Sequence, residues 1–420
     1  MEVLDMLSQR RHAPVAWVVG LLMGLSLVHK AQAQVPTETL AQALDAAWTR
    51  SPHAVALRAR QDETQAGLEL ARGLTPGPAS VSVNHLNDRL NQNIGRREWE
   101  FEVSTPLWLP GQKRVRASLA ENVAIELDVR HASLKLQMAA EVREAWWRVA
   151  AARDAAALAH QRLDTAQELE GSVMRRFKTG DLARVDANLV KAERLTAQAE
   201  LLDAEGGLQQ AMQGYRVLMG EDAPAALPAE HAQPQALEAL STAYLVHPQV
   251  RALQALTEVA QSRLAVVDAS QREAPELAVR WATQRGDGMT PYDQAVGVKL
   301  TIPLSSGGRV RQDGAAAQAE LAQAEAALML AQTSTQQEVI RAQSELDIAL
   351  RQVVMAQERQ ALTTDNLTLA QRSFSVGESD LPTLMRARAA SHEAQAWFKR
   401  QETAHALAQS RLLQAQGVLP

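Results

Sequence analysis

From Thr39 to about Arg72, apolar residues recur at helical spacing (Leu40, Leu44 and Ala47, then Val55 and Leu57), and Pro76 and Pro78 end the run. The period then drops to two. In Arg97 to Ser104, Trp99, Phe101 and Val103 alternate with Glu98, Glu100, Glu102 and Ser104, and before them Val81 and Val83 alternate with Ser80, Ser82 and Asn84. The same alternation returns later, with Leu277, Val279 and Trp281 against Ala278 and Arg280, and with Val296, Val298 and Leu300 against Gly297, Lys299 and Thr301. Four short strands in two hairpins are predicted. Their loops, Asn87 to Arg96 and Gln284 to Asp293, are polar and contain glycine.

Between the hairpins the period is helical and unusually long. Gln112 to Phe177 is a run of 66 residues without proline and with one glycine, Gly171, so a continuous helix there would reach ~100 Å at ~1.5 Å per residue. Leu119, Val123, Leu127, Leu134, Met138, Val142 and Trp146 fall mainly in steps of four, one stripe along a rod. Past Gly180, the residues Leu182, Val185, Leu189, Ala192, Thr196 and Ala199 follow the three-four spacing of paired helices. The plan repeats from Arg309 to Phe374 and again from Leu384.

These recurrences keep nearly one offset. Ser51-Pro52-His53 and His247-Pro248-Gln249 lie 196 apart, while Phe177 and Phe374, Gly180 and Gly377, and Pro106 and Pro303 each lie 197 apart. Arg114-Val115-Arg116 returns as Arg309-Val310-Arg311 at 195. The chain therefore reads as a duplication. One repeat runs 34–225, with a hairpin at about 79–105 and a tip near 180. A proline-bearing linker follows at 226–235, then a second repeat at 236–420, with a hairpin at about 276–302 and a tip near 377.

The N-terminus adds an address. Arg10 and Arg11 precede an apolar run from Val15 to Val28, too short to span a bilayer, and Ala31-Gln32-Ala33 has the spacing a signal peptidase reads, so 1–33 is expected to be a signal peptide. Aromatic residues make up only 4% of the chain and 22% is charged, which favours long helices over compact cores. The formal net charge of −5, with no basic run carrying interleaved aromatics, gives no reason to expect a nucleic-acid partner. The chain has no cysteine, which removes disulfides, thiolate metal sites and an acylated lipoprotein anchor.

Catalytic patterns are missing. There is no glycine-rich phosphate loop and no Gly-x-Ser-x-Gly; His392-Glu393 opens a zinc-helix pattern, but Ala396 stands where the second histidine belongs. No paired histidine spacing occurs after the leader, so neither a metal site nor a cofactor is expected. Glu98 and Glu100, ~7 Å apart along one strand face, could pass for an acid/base pair, but a solvated acidic lining is the simpler reading. An enzyme is not expected.

Nothing in the sequence is left over to cover the apolar strand faces, because each long helix needs its own stripe for helix packing. Lipid would cover them. Four strands cannot close, and open edges are not tolerated in hydrocarbon, so the chain is expected to oligomerise. Two copies would give a narrow eight-stranded barrel and three a twelve-stranded one with a wet lumen, lined by Glu98, Glu100, Glu102, Arg280 and Lys299.

The two turns Arg176-Phe177-Lys178-Thr179-Gly180 and Ser373-Phe374-Ser375-Val376-Gly377, each followed by a heptad-rich helix, and the strand-ending Pro106 and Pro303 before Arg-Val-Arg helix starts carry a resemblance. Over the mature chain the sequence resembles the TolC family of outer-membrane efflux and secretion ducts. That resemblance implies a mainly α fold with a small β part. Duplicated coiled-coil helices and four strands per chain build a homotrimeric twelve-stranded outer-membrane barrel and a periplasmic α-helical tunnel. It also implies a periplasmic adaptor (membrane fusion protein) that links the duct to an inner-membrane pump of the resistance-nodulation-division or ABC class, exporting metal ions, drugs or protein. A type I secretion duct and a soluble periplasmic coiled-coil scaffold are the alternatives.

The resemblance places adaptor docking at the tips, on Phe177, Gly180, Phe374, Val376, Gly377 and Ser379. Glycine at a tight helix turn is explicable on structure alone. Asp186 matches a family acid in tip-closing contacts, and would otherwise be an exposed heptad-flank charge. The aperture departs from the family, because the acids expected six and nine residues past the second tip glycine are here Thr383 and Arg386, with Glu378 or Asp380 as possible substitutes. Cation selectivity at the mouth is therefore not implied.

Overall fold

The computed structural model describes residues 39–230, 246–304 and 307–420; the expected signal peptide and linker residues 231–235 lie outside them. The described part of each repeat runs helix, hairpin, long helix, long helix. Helix α1 (Leu40–Arg50) starts on a capping box in which Thr39 and Gln42 bond each other's backbone. The single helix expected to Arg72 is in fact two. Ser51 is extended (φ −66°, ψ 133°) and caps α2 (Pro52–Arg72), whose first residue is the proline. Pro52 has no N–H to donate to the preceding turn, so the chain stops and restarts there.

Strands β1 (Ser80–Asn87) and β2 (Arg97–Pro106) form the first hairpin. Helix α3 (Gln112–Lys178) is an unbroken rod of 67 residues, and α4 (Arg184–Met219) returns along it. After the undescribed segment come α5 (Pro248–Ala269), β3 (Glu276–Arg285), β4 (Asp293–Thr301), the 69-residue α6 (Gly307–Ser375) and α7 (Leu381–Ala415). Helix α5 is capped at the duplicated position by His247, whose Nδ1 accepts from the N–H of Gln249 at 3.3 Å, where Ser51 Oγ accepts from His53 at 3.1 Å. Different residue types fill one capping role in the two copies.

The two hairpins join in one antiparallel sheet of order β1-β2-β3-β4, with Phe101 opposite both Val83 and Trp281 and Val279 opposite Val103 and Val298. Below it, α3 packs on α4 and α5, α6 on α7 and α5, and α3 on α7. A hydrophobic cluster and a polar network tie this array together near α1. Where α1 crosses α3 and α4, Leu40, Leu44 and Ala47 pack on Val142, Trp146, Tyr215 and Met219. Nearby, the buried Arg143 donates to both carboxylate oxygens of Glu230, to Gln414 and to the carbonyl of Val418, and Trp147 Nε1 donates to Ser410 Oγ at 2.9 Å, which ties α3 to the C-terminus of the chain. Among the described residues no helix is long and apolar enough to cross a membrane.

Candidate functional site

Two regions set what the molecule can do: the sheet at one end of the rods and the two turns at the other. In the sheet, register sorts the side chains by chemistry. Val81, Val83, Trp99, Phe101, Val103, Leu277, Val279, Trp281, Val296, Val298 and Leu300 share one face. They are left bare, with Val81 at 72% and Val296 at 75% exposure. Their rings stack in a row, His85 on Trp99 at 4.0 Å and Phe101 on Trp281 at 5.4 Å. Burying such a row would be worth ~25 cal/mol per Å².

Glu98, Glu100, Glu102, Arg280 and Lys299 all lie on the opposite face. There Arg280 Nη1 donates to Glu100 Oε1 at 2.9 Å, and Lys299 Nζ reaches Glu102 at 3.4 Å. The Glu100 and Glu102 side chains keep 19% and 16% exposure, while their partners Arg280 and Lys299 keep 49% and 55%. Gly297 and Ala278, small residues beside Arg280 and Lys299, leave room for these diagonal contacts.

At the far end, both turns have the same backbone. Gly180 (φ 85°) donates to the carbonyl of Phe177 and Asp181 to that of Arg176; Gly377 (φ 79°) donates to Phe374 and Glu378 to Ser373. Each is a Schellman closure, which needs a left-handed residue at the glycine. The flanking phenylalanines are unequal. Phe374 is buried with Leu169, Val173, Val190, Leu381 and Leu384, so it holds the two turns together from inside, while Phe177 is half-buried. Arg176 lies 5.0 Å over the Phe374 ring, a contact between the copies that the sequence reading missed because it joins residues 198 apart. Val376 is 70% exposed and Ser379 half-buried.

Two of the four aperture candidates, Asp380 and Asp186, cap helices. Asp380 accepts from the N–H of Thr383 at 3.1 Å as the N-cap of α7, and Asp186 accepts from the N–H of Ala183 at 3.2 Å in the first turn of α4. Bonds from the Thr383 hydroxyl and N–H, with the nearby Arg386, hold the Asp380 carboxyl below its ordinary range. Arg386 is exposed and donates to Thr383 Oγ1 at 3.0 Å. Among the described residues no group of three or more His, Asp or Glu is placed to hold a metal ion.

Sequence reading also passed over the groove of about 620 Å³ between α3, α4 and α7, lined by Trp147, Asp154, Arg162, Glu200, His392 and Lys399 among others. At its lower end Arg162 pairs with Glu193 and Glu200, Arg388 donates to the carbonyl of Thr165, and His392 Nε2 lies 3.3 Å from Thr165 Oγ1.

No protein-family model matches the chain. Over 276 residues it is 24% identical to the cobalt-zinc-cadmium resistance protein CzcC of Cupriavidus metallidurans, a match that covers 63% of this chain and 62% of CzcC. Similarity to solved structures is broader. The outer membrane protein VceC of Vibrio cholerae superposes with a TM-score of 0.74 over 90% of this chain and 96% of VceC, at 14% identity. CusC, described in terms of folding and transmembrane channel formation, gives 0.74 over 90% and 92%, also at 14% identity. This chain has the TolC fold.

In this fold β1 and β4 are open sheet edges beside the bare apolar face. Thr383 and Arg386 lie near the start of α7, just past the second turn, and neither is acidic.

Proposed function

We propose that this chain is the outer-membrane channel subunit of a tripartite efflux assembly, a passive exit duct with no enzymatic step. The observation that carries the reading is the sheet, whose apolar face is bare while its opposite face carries the charged residues Glu98, Glu100, Glu102, Arg280 and Lys299. That polarity is inverted for a water-facing sheet and correct for a wall between lipid and a wet lumen. Three chains close twelve strands around that lumen, and their rods, each ~100 Å long, extend the passage across the periplasm. An adaptor engages the glycine turns through the exposed Val376 and its neighbours, while Phe374 keeps the turns in register. The pump behind the adaptor, of the resistance-nodulation-division or ABC class, supplies energy and selection.

Metal cations are the cargo we favour, on the partial similarity to CzcC. The paired Glu100–Arg280 and Glu102–Lys299 leave Glu98 the one uncompensated carboxylate of the five lumen residues, so the barrel would be a weak selector. The test is cobalt, zinc and cadmium accumulation in cells carrying the adaptor and pump, with the wild-type chain or Gly377→Val. A valine at φ 79° costs ~1–2 kcal/mol locally, so the variant should retain metal while its outer-membrane level is unchanged. Release of the wild-type chain by osmotic shock as a soluble monomer would overturn the channel reading, and unchanged export by Gly377→Val would overturn the tip assignment.

A further inference from the structure

The apolar face of the sheet does not end in neutral residues. At its loop end, Arg97 on β2 stands directly opposite Arg285 on β3, with Asn87 on the other side of Arg97. By strand alternation both arginines share the face of Trp99, Phe101, Val279 and Trp281, and Glu98 lies on the other face. Like charges placed directly across a ladder oppose pairing, so the arrangement calls for an anion.

Among the described residues no carboxylate makes an ion pair with either arginine. Arg97 is exposed and makes no ion pair or side-chain hydrogen bond among the described residues. Arg285 donates only to the carbonyl of Gly95, at 3.1 Å, and its guanidinium lies 5.1 Å over the ring of Tyr292, just before β4. The nearby loop carboxylates Asp88 and Asp287 spend their bonds on the backbone, although Asp287 still feels the Arg285 charge. Asp88 accepts from the N–H of Ile94 at 2.7 Å, and Asp287 from the N–H groups of Met289 and Thr290 at 2.9 and 2.8 Å.

We propose that Arg97 and Arg285 bind the phosphate groups of anionic lipid in the membrane leaflet on the hairpin-loop side. The inference rests on the reading that lipid covers the apolar face. Guanidinium groups match phosphate in a two-point fork, and a tyrosine at the same height is the usual companion of a membrane–water interface. The site commits to lipid rather than free phosphate because both arginines lie at the edge of the bare apolar rows, where a headgroup arrives already anchored by its chains. Its effect is to fix the height of the barrel wall in the membrane and to relieve the repulsion between two neighbouring strands.

The experiment compares the full-length wild-type protein with Arg97→Gln/Arg285→Gln, Arg97→Lys/Arg285→Lys and Arg280→Gln. Each is reconstituted from detergent into vesicles of zwitterionic lipid, then titrated with lipopolysaccharide and, separately, with inorganic phosphate. We expect the glutamine pair to bind lipopolysaccharide about thirtyfold more weakly at low salt, from ~fivefold per arginine. The lysine pair should recover much of the loss, Arg280→Gln should bind like wild type, and inorganic phosphate should bind none of them measurably. Equal lipopolysaccharide affinity in wild type and the glutamine pair overturns the proposal, as does a loss of the same size in Arg280→Gln or saturable phosphate binding that competes with the lipid. Failure of the wild-type protein to enter zwitterionic vesicles at all would instead overturn the membrane reading beneath it, whereas entry with unchanged lipid preference would overturn this site alone.

Discussion

Several residues here perform a role that their type does not announce. His247 caps a helix with its ring, which requires a neutral Nδ1, and burial holds it below the ordinary histidine range. His392, where α7 faces α3 and α4, is lowered by burial first and then by the cationic Arg162 and Arg388, against the weaker pull of Glu193 and Glu200. A histidine with a depressed folded value stays neutral in the folded chain while the unfolded chain takes up a proton below about pH 6.5. The unfolded state then binds more protons, so stability is full above that pH and falls as pH drops below it. Thermal unfolding of the detergent-solubilised protein should therefore shift to lower temperature between pH 7.5 and 5.5, and His392→Gln should flatten that dependence. An identical slope in the variant would mean that His392 takes up its proton freely. None of this was legible in the sequence, where His392 drew attention only as half of a zinc pattern, because apart from Arg388 its charged neighbours lie more than 190 positions away.

Elements were read more easily than residues, and the reason is their length. A stripe in steps of four over α3, or alternation over eight residues in β2, repeats its message enough times to outweigh any local exception. The break at Ser51 escaped for the converse reason, since one capping serine and one proline interrupt a pattern that reads as helical on both sides. Helix α6 is instructive in another way. Its buried positions are mostly alanine, with Ala317, Ala324 and Ala331 spaced by seven and Ala342, Ala349 and Ala356 spaced by seven, so it has almost no hydrophobic stripe, yet it packs along α5 and α7. Small residues let the axes approach, and the packing comes from backbone proximity rather than side-chain bulk. Ala356 is fully buried. Ala356→Leu should cost ~1–3 kcal/mol through overpacking, read as a lower unfolding midpoint, whereas Met355→Leu one position away, on the exposed side, should cost little. Equal tolerance at both positions would show that α6 and α7 are not closely packed there.

At the scale of the whole molecule, the chain is legible as a duplication but incomplete as a structure. The offsets of 195 to 197 foretold two hairpins and two pairs of rods; they did not foretell that the hairpins would join edge to edge as β2 and β3, which sets the repeats side by side in one wall. That join leaves β1 and β4 as open edges, each with a row of unpaired backbone groups that hydrocarbon does not tolerate. Closure needs further chains, and strand counting alone allows two or three. The absence of cysteine makes the count directly measurable. Ser82 on β1 and Gly297 on β4 lie on the charged face, at opposite edges of the sheet. A closed ring pairs β1 of one chain with β4 of the next in a register set by the barrel's shear, so Ser82→Cys is combined in turn with a cysteine at each β4 position from Asp293 to Thr301; the double variant in register comes within reach of a short bismaleimide, while neither of its single variants joins chains. The double variant should give a ladder that ends at three chains when crosslinked in outer membranes. A ladder ending at two would make the barrel eight-stranded and leave no wet lumen for cargo, and products beyond three would mean that the edges pair without closing.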